Sequence, residues 1–428
     1  MRLGGRLAAA IEVLDDIARR HRPAGDALKD WGLSHRFAGS GDRAAIGNIV
    51  YDALRRKRSA AWLLDSDSSR ALALGAMMLE GGVDGEAINQ ALDGDRFAPS
   101  PLSNEELGAL ATRTLDTAPD AVRTDIPDWC IPLVEEAFGE DWTIEMAALS
   151  TRPPLDLRVN TLNATREKVL AELAGTGAAP CDIARSGIRI PPIAGGGRHP
   201  NVQAEPAFQR GWFEVQDEGS QLAAELAGAT SSMQVLDYCA GAGGKTLALS
   251  AMMENGGQIF AHDSEKQRLA PIFDRLRRSD VRNAQTVTGE KGLEPLKDRM
   301  DLVLVDAPCT GSGTWRRRPD AKWRLTARQL DVRRREQAAI LRTAKDFVRP
   351  GGRLVYITCS VFPQENQHQV QSFLAEHPVF SISDPAPLWA SRIGAHEGRA
   401  RFVEVGTVLT PARTGTDGFF ISTLTRAA

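Results

Sequence analysis

The chain has 428 residues, 42% hydrophobic and 25% charged, which allows two or three globular domains each with a core of its own. A formal net charge of −3 means that any nucleic-acid surface has to be a local basic patch and not a global field. No apolar run approaches the roughly twenty residues that span a bilayer, and residues 7–17 are interrupted by Glu12, Asp15 and Asp16. The five cysteines are odd in number, widely spaced and never in a CxxC pair, which argues against a disulfide framework and a zinc site. The expectation is a protein of a reducing cytoplasm, with no signal peptide, membrane anchor or metal.

Residues 1–124 read as a helical domain. From Arg2 to about Leu110, Ala-, Leu- and Arg-rich segments recur at three-to-four spacing between Gly and Pro turns, nearly free of β-branched runs. Its sharpest piece is residues 41–64, where Ile46, Ile49, Val50, Ala53 and Leu54 share an apolar face beside Arg55, Arg56, Lys57 and Arg58. A solvated basic helix end and an RNA contact are equally good readings of that cluster. The segment is similar to the NusB type of RNA-binding helical domain. Residues 125–224 change character: Pro153-Pro154, the strand-like LDLRVNTLN, a short helix from Arg166 and Pro/Gly turns predict a small α+β linking domain.

From Val235 the signals alternate strand and helix at βαβ spacing, so residues 225–428 predict a parallel α/β sheet with right-handed crossovers. VLDYCAGAGGKTLALS is strand, glycine loop and helix, and QIFAHDSEKQRLA is a strand ending at Asp263. GAGGKT invites a phosphate loop, but the first glycine of that pattern would fall on Cys239; a nicotinamide fingerprint fails at Thr246. What remains is a glycine turn with an acid about twenty residues on, able to accept both ribose hydroxyls. S-adenosylmethionine fits, having a ribose and no phosphate to cradle; a nucleoside triphosphate stays as the rival.

The β-branched run 302–305 predicts a central strand covered on both faces, with Asp306, Pro308 and Cys309 at a ligand crevice outside its carboxyl end. Residues 315–324 then interleave Trp315 and Trp323 with Arg316, Arg317, Arg318 and Lys322, a mixture suited to phosphates and stackable bases. Cys359 follows another predicted strand. If the two strands are neighbours, both thiols face one crevice, where a thiolate can add to an electron-poor ring; methylating carbon 5 of a pyrimidine needs such addition at carbon 6. Position alone does not say which thiol attacks.

DYCAGAGGKT, DAPCTGSGTWRRRPDAKW and ITCSVFPQEN, in that order, resemble the motifs of the Nop/Sun family of RNA cytosine-5 methyltransferases, over about Asp125 to the C-terminus. The resemblance implies a Rossmann-like class I methyltransferase domain behind the linking domain and an N-terminal all-α NusB-like domain. It implies S-adenosylmethionine as cofactor, contacted by Cys239, Ala240, Gly241, Ala242, Gly243, Gly244, Lys245, Asp263, Arg268 and Asp306. Cys359 would attack carbon 6, Cys309 would assist product release, Asp306 would bind the cytosine edge and Lys245 would sit between cofactor and base. Trp315, Arg316, Arg317, Arg318, Lys322 and Trp323 would face RNA, ribosomal RNA of the small subunit foremost, and the protein would act as a monomer. Two departures stand out: Gly241-Ala242 replaces the family's Ala-Pro or Ala-Ala, and TVTGEKG at 286–292 lacks the aspartate expected to meet the adenine amine, with only Glu290 nearby. A non-catalytic RNA-binding or ribosome-assembly module that keeps cofactor affinity and a P-loop-like ATPase are the alternatives.

Overall fold

The computed structural model describes residues 1–193, 195–394 and 398–428. The chain divides into two compact units, one made of Met1–Pro153, Pro192–His199 and Thr314–Leu325, the other of Pro154–Pro191, Pro200–Gly313 and Thr326–Ala428.

The first unit is helical. Helices Leu3–Arg20, Ala24–Ser34, Ser40–Arg55, Lys57–Leu64 and Ser69–Gly81 surround a core that includes Leu7, Val13, Ile46, Val50 and Leu74. Gly75 lets two of them touch, because a Cβ there would stand 2.8 Å from Ala60. Asp125, where the linking domain is expected to begin, is tied to the helices before it. Asp125 is fully buried and accepts hydrogen bonds from Arg58 N (2.8 Å), Ser59 N (3.0 Å) and Ser59 Oγ (2.6 Å), so its carboxylate caps the helix Lys57–Leu64 from far along the chain. Residues 125–153 lie within the first compact unit.

The second unit holds two sheets. Strands β1 (Leu155–Val159), β2 (Ala179–Pro180), β3 (Gly187–Ile190) and β4 (Phe213–Val215) form an antiparallel sheet in the order β2-β3-β1-β4, with Leu157, Val159, Ile188, Ile190 and Phe213 as its buried face. The large sheet takes β5 (Gln234–Asp237), β6 (Gln258–His262), β7 (Ala284–Val287), β8 (Met300–Asp306), β9 (Val348–Thr358), β10 (Phe380–Ile382), β11 (Arg401–Val403), β12 (Gly406–Leu409) and β13 (Phe419–Arg426). Its order is β11-β12-β13-β9-β8-β5-β6-β7, with β10 on β13.

Strands β7, β6, β5, β8 and β9 are parallel, and their buried runs are continuous: Leu302, Val303, Leu304 and Val305 are all 0% exposed, as are Leu354, Val355, Tyr356 and Ile357. The parallel sheet anticipated from Val235 onward is this half. The pairs β9-β13, β13-β12 and β12-β11 are antiparallel, an addition that the short C-terminal apolar runs did not announce. The strand order runs away from β5 in both directions, so the switch point lies between the carboxyl ends of β5 and β8, where open α/β sheets bind ligands. Among the described residues no helix is long and apolar enough to cross a membrane.

Candidate active site

The loop after β5 is shaped by its glycines. Gly243 has φ +82°, and a Cβ there would lie 2.5 Å from Ile272; Gly241 has φ +50°. Gly241 N donates to Asp263 Oδ2 at 2.9 Å, and Asp263 Oδ1 accepts from Glu265 N at 2.9 Å. The acid at the end of β6 is thus bonded to the turn it was expected to serve, with Arg268 Nη1 3.8 Å away. Ala240 N donates to His262 O at 2.7 Å, and Ala242 O accepts from Arg275 Nη1 at 2.7 Å. Cys239 is held above its ordinary thiol range, mainly by burial and then by the neighbouring carboxylates.

Beneath the loop lies the acid that ends β5. Asp237 is fully buried; Oδ2 accepts from Thr246 Oγ1 at 2.6 Å, while Oδ1 has no hydrogen-bond partner among the described residues. Burial, opposed by the Thr246 hydrogen bond, pushes its carboxyl up to about 7. Lys245, in the first turn of the helix Gly244–Met252, donates to Asp306 Oδ2 at 2.7 Å and Ser220 Oγ at 3.2 Å, and its Nζ lies 5.5 Å from the Phe419 ring centroid. Asp306 closes β8, so the switch point carries an ion pair joining the glycine-loop helix to the central strand.

The two cysteine loops meet beside it. β8 and β9 are neighbours, and the Sγ atoms of Cys309 and Cys359 lie 3.4 Å apart. The Cys309 thiol is held well above its ordinary range, first by its hydrogen bond to Cys359, then by burial and by the charges of Cys359 and Glu365. The two thiols are hydrogen-bonded to each other, and either sulfur can be the donor. The backbones interlock as well: Gly313 N donates to Cys359 O at 3.0 Å and Val361 N to Ser312 Oγ at 2.9 Å. A residue that the sequence reading quoted but left without a role, Glu365, is fully buried and bonded to both loops. One signal could have found it: it is the only acid in the stretch 348–375.

The basic segment is in part buried. Thr314–Leu325 belongs to the helical unit, where Trp315 is 1% exposed, Arg316 3% and Lys322 1%. Lys322 Nζ lies 3.3 Å from Ser150 Oγ, Trp323 Nε1 donates to Leu54 O at 2.6 Å, and Arg316 O accepts from Arg55 Nε at 2.7 Å. Burial pushes the Lys322 ammonium down to about 8. Trp315, Arg316 and Lys322 are thus buried, and Lys322 and Trp323 are hydrogen-bonded within the helical unit. Arg318 is exposed, and Arg317 and Trp323 are half-buried. The cluster at 55–58 is likewise engaged within its unit: Arg55 with Asp52, Arg56 with Glu80, Lys57 over the Trp323 ring and Arg58 with Asp128. Glu290, near the departure at 286–292, is exposed.

The sequence and the fold both match known proteins. A family model described as 16S rRNA methyltransferase RsmB/F matches residues 225–425, and one for the RsmF/B-like ferredoxin-like domain matches residues 126–192. The chain is 33% identical over 309 residues to the "Probable ribosomal RNA small subunit methyltransferase B" of Synechocystis sp., covering 70% of this chain and 67% of that one. It is 34% identical over 287 residues to the ribosomal RNA small subunit methyltransferase B of Salmonella arizonae, where the match spans 64% of this chain and 65% of the relative. The fold is shared with a crystallised methyltransferase homolog protein from Pyrococcus horikoshii, at 24% identity and a TM-score of 0.58, over 72% of this chain and 97% of that one.

Proposed function

This chain belongs to the RsmB/F family of 16S rRNA methyltransferases, and from that membership we propose that it forms 5-methylcytosine in small-subunit ribosomal RNA through a covalent cysteine adduct. The observation that carries the proposal is the pair of thiols 3.4 Å apart at the carboxyl ends of two adjacent strands, beside the Lys245–Asp306 ion pair.

The cofactor of the family is S-adenosylmethionine, and the residues around β5 and β6 suit it. The turn carries no side chain at Gly241 or Gly243, and the carboxylate of Asp263, bonded to that turn, would accept from the ribose hydroxyls. When bound, S-adenosylmethionine supplies an electrophilic methyl group on a sulfonium. Glycine-loop residues 239–245 and Asp263 would hold it, and no residue is assigned to the adenine amine.

The remaining chemistry belongs to the chain. Cys359, as thiolate, adds to carbon 6 of a cytosine, and the ring's electrons make carbon 5 the nucleophile. Asp306, with one carboxylate oxygen held by Lys245, accepts from the exocyclic amine and selects cytosine. Cys309, as thiolate, would take the proton from methylated carbon 5, the electrons of that C–H bond restore the 5,6 double bond, and the carbon–sulfur bond breaks to return Cys359 as thiolate. The base has to leave its stack to reach such a crevice. Of the segment first expected on RNA, Arg318, Arg317 and Trp323 remain candidates for the flanking backbone.

Bisulfite sequencing of ribosomal RNA from a strain with and without the protein tests the proposal. One protected cytosine in the small-subunit RNA should become convertible in the deletion and be restored by the wild-type chain. Identical conversion in both strains would exclude this substrate.

A further inference from the structure

Glu365 is a buried carboxylate whose hydrogen bonds come from neutral donors on separate parts of the chain. Oε1 accepts from Thr310 N at 2.8 Å and Gln337 Nε2 at 3.0 Å; Oε2 accepts from Thr310 Oγ1 at 2.5 Å and Ser360 Oγ at 2.5 Å. Its own carbonyl accepts from Tyr356 OH at 2.7 Å, which fixes its backbone to β9. Thr310 directly follows Cys309, and Ser360 directly follows Cys359. One side chain therefore holds the residue after each thiol, and Gln337 ties the same oxygen to Pro308 O, on the residue before Cys309, at 3.0 Å.

A buried carboxylate facing only neutral donors is expensive for stability alone, since desolvating the charge is offset only in part by such bonds. A hydrocarbon core would be cheaper, so the cost points to a requirement for geometry. The carboxylate has acceptor capacity for all these donors at once, and it lies close enough to Cys309 to help keep that thiol protonated.

We propose that Glu365 is a positioning residue that fixes the separation of Cys309 and Cys359 by clamping the residues that follow them. The proposal rests on the two-thiol reaction above, and it extends that reaction to a residue that touches neither thiol. Glutamine at 365 can preserve the clamp, its carbonyl taking the Thr310 and Gln337 N–H groups while its amide donates to the two hydroxyls, which can accept. Alanine cannot, and aspartate is one methylene too short to hold both loops.

The test measures thiol geometry without RNA or cofactor. Diamide oxidises the thiol pair to a disulfide, the two sulfurs joining while the diazene takes up both hydrogens and is reduced to the hydrazine. Closure of Cys309 to Cys359, followed by mass spectrometry of peptides, should proceed at similar rates in wild type and Glu365→Gln and at least tenfold slower in Glu365→Ala and Glu365→Asp. In methyl-transfer assays kcat should fall by a hundredfold or more in Glu365→Ala, with KM for RNA within a factor of three, and Glu365→Gln should recover most of it. Should Glu365→Ala fail to fold, Thr310→Val and Ser360→Ala remove the hydroxyl donors singly, and each should slow closure. Wild-type closure rates in Glu365→Asp and in both hydroxyl variants would overturn the proposal. A wild-type protein that closes its disulfide yet methylates no RNA would leave the clamp standing and overturn the reaction instead.

Discussion

Lys245 Nζ and Asp306 Oδ2 meet at 2.7 Å, and the pair is lopsided: the lysine side chain is 5% exposed and the aspartate side chain 35%. Removing the aspartate strands an ammonium inside the protein, whereas removing the lysine leaves a carboxylate that water can reach. Asp306→Ala is therefore expected to cost more stability than Lys245→Met, about 1–3 kcal/mol against less than ~1 kcal/mol, with the first figure reduced for solvent access. Both should abolish methyl transfer, because the cytosine edge and its support are lost together. Urea denaturation of the two variants without cofactor checks the order; a larger cost for Lys245→Met would show that the aspartate depends on the lysine and not the reverse.

Asp237 sets a second expectation, one of pH. Its folded carboxyl is raised from an ordinary 3.8 to about 7, chiefly by burial. Between roughly pH 4 and 7 the folded state keeps a proton that the unfolded chain has released, so this group's contribution to stability falls as pH rises through that window, and the full penalty stands above it. Asp237→Asn can keep the Thr246 hydrogen bond without the charge. Its stability relative to wild type should improve by roughly 2–4 kcal/mol from pH 4 to pH 7.5, on ~1.4 kcal/mol for each pH unit spanned. Parallel stability curves for the two proteins would mean that Asp237 stays ionised.

The features legible in the sequence share one property: each is declared by its immediate neighbours. Asp263, Asp306 and Cys359 stand where apolar strands break off, and Gly241 and Gly243 belong to a turn recognisable from composition. What was not legible depends on distant partners. A run of arginines and tryptophans reads as surface until Leu54 O, Ser150 and Asp125 are known to receive it, and those lie well over a hundred residues earlier. Asp125 reads as a linker residue until it caps a helix 66 residues before it. Glu365 reads as one acid among glutamines until Thr310, Ser360 and Gln337 converge on it. Strands β11 and β12 are too short for periodicity to separate from loops, and they form because β13 offers them an edge.

The relocation of the basic segment gives a contrast between two cations. Lys322→Ala empties a buried site in the helical unit and removes a charge near Asp125, so it should cost about 2–4 kcal/mol and leave the salt dependence of RNA binding unchanged. Arg318→Ala sits on an exposed side chain and should leave the melting temperature within a degree or two. If Arg318 meets a phosphate, that variant reduces the log–log salt slope by roughly 0.7–0.9. Melting curves with filter binding at several salt concentrations read both quantities, and a shallower slope from Lys322→Ala would return that residue to the RNA surface.

The thiols give the last expectation. The two sulfurs lie 3.4 Å apart, and the proposed reaction gives the attack to Cys359 and the release to Cys309. Cys359→Ala should therefore show neither turnover nor a trapped complex. Cys309→Ala removes the hydrogen-bond partner of the attacking sulfur, so attack should slow by about tenfold, the equivalent of one hydrogen bond of ~1.4 kcal/mol. Release is affected far more, because the adduct loses the group that assists its breakdown. That variant should methylate and then stall, accumulating a denaturant-resistant protein–RNA complex. The double variant should match Cys359→Ala, since a step that never begins cannot be stalled later and the two effects do not add. A denaturing gel with labelled RNA and S-adenosylmethionine reports all three. A shifted band with Cys359→Ala and none with Cys309→Ala would exchange the two roles, and full activity in either single variant would remove that thiol from the reaction, because each is asked to carry a step that no neighbouring side chain duplicates.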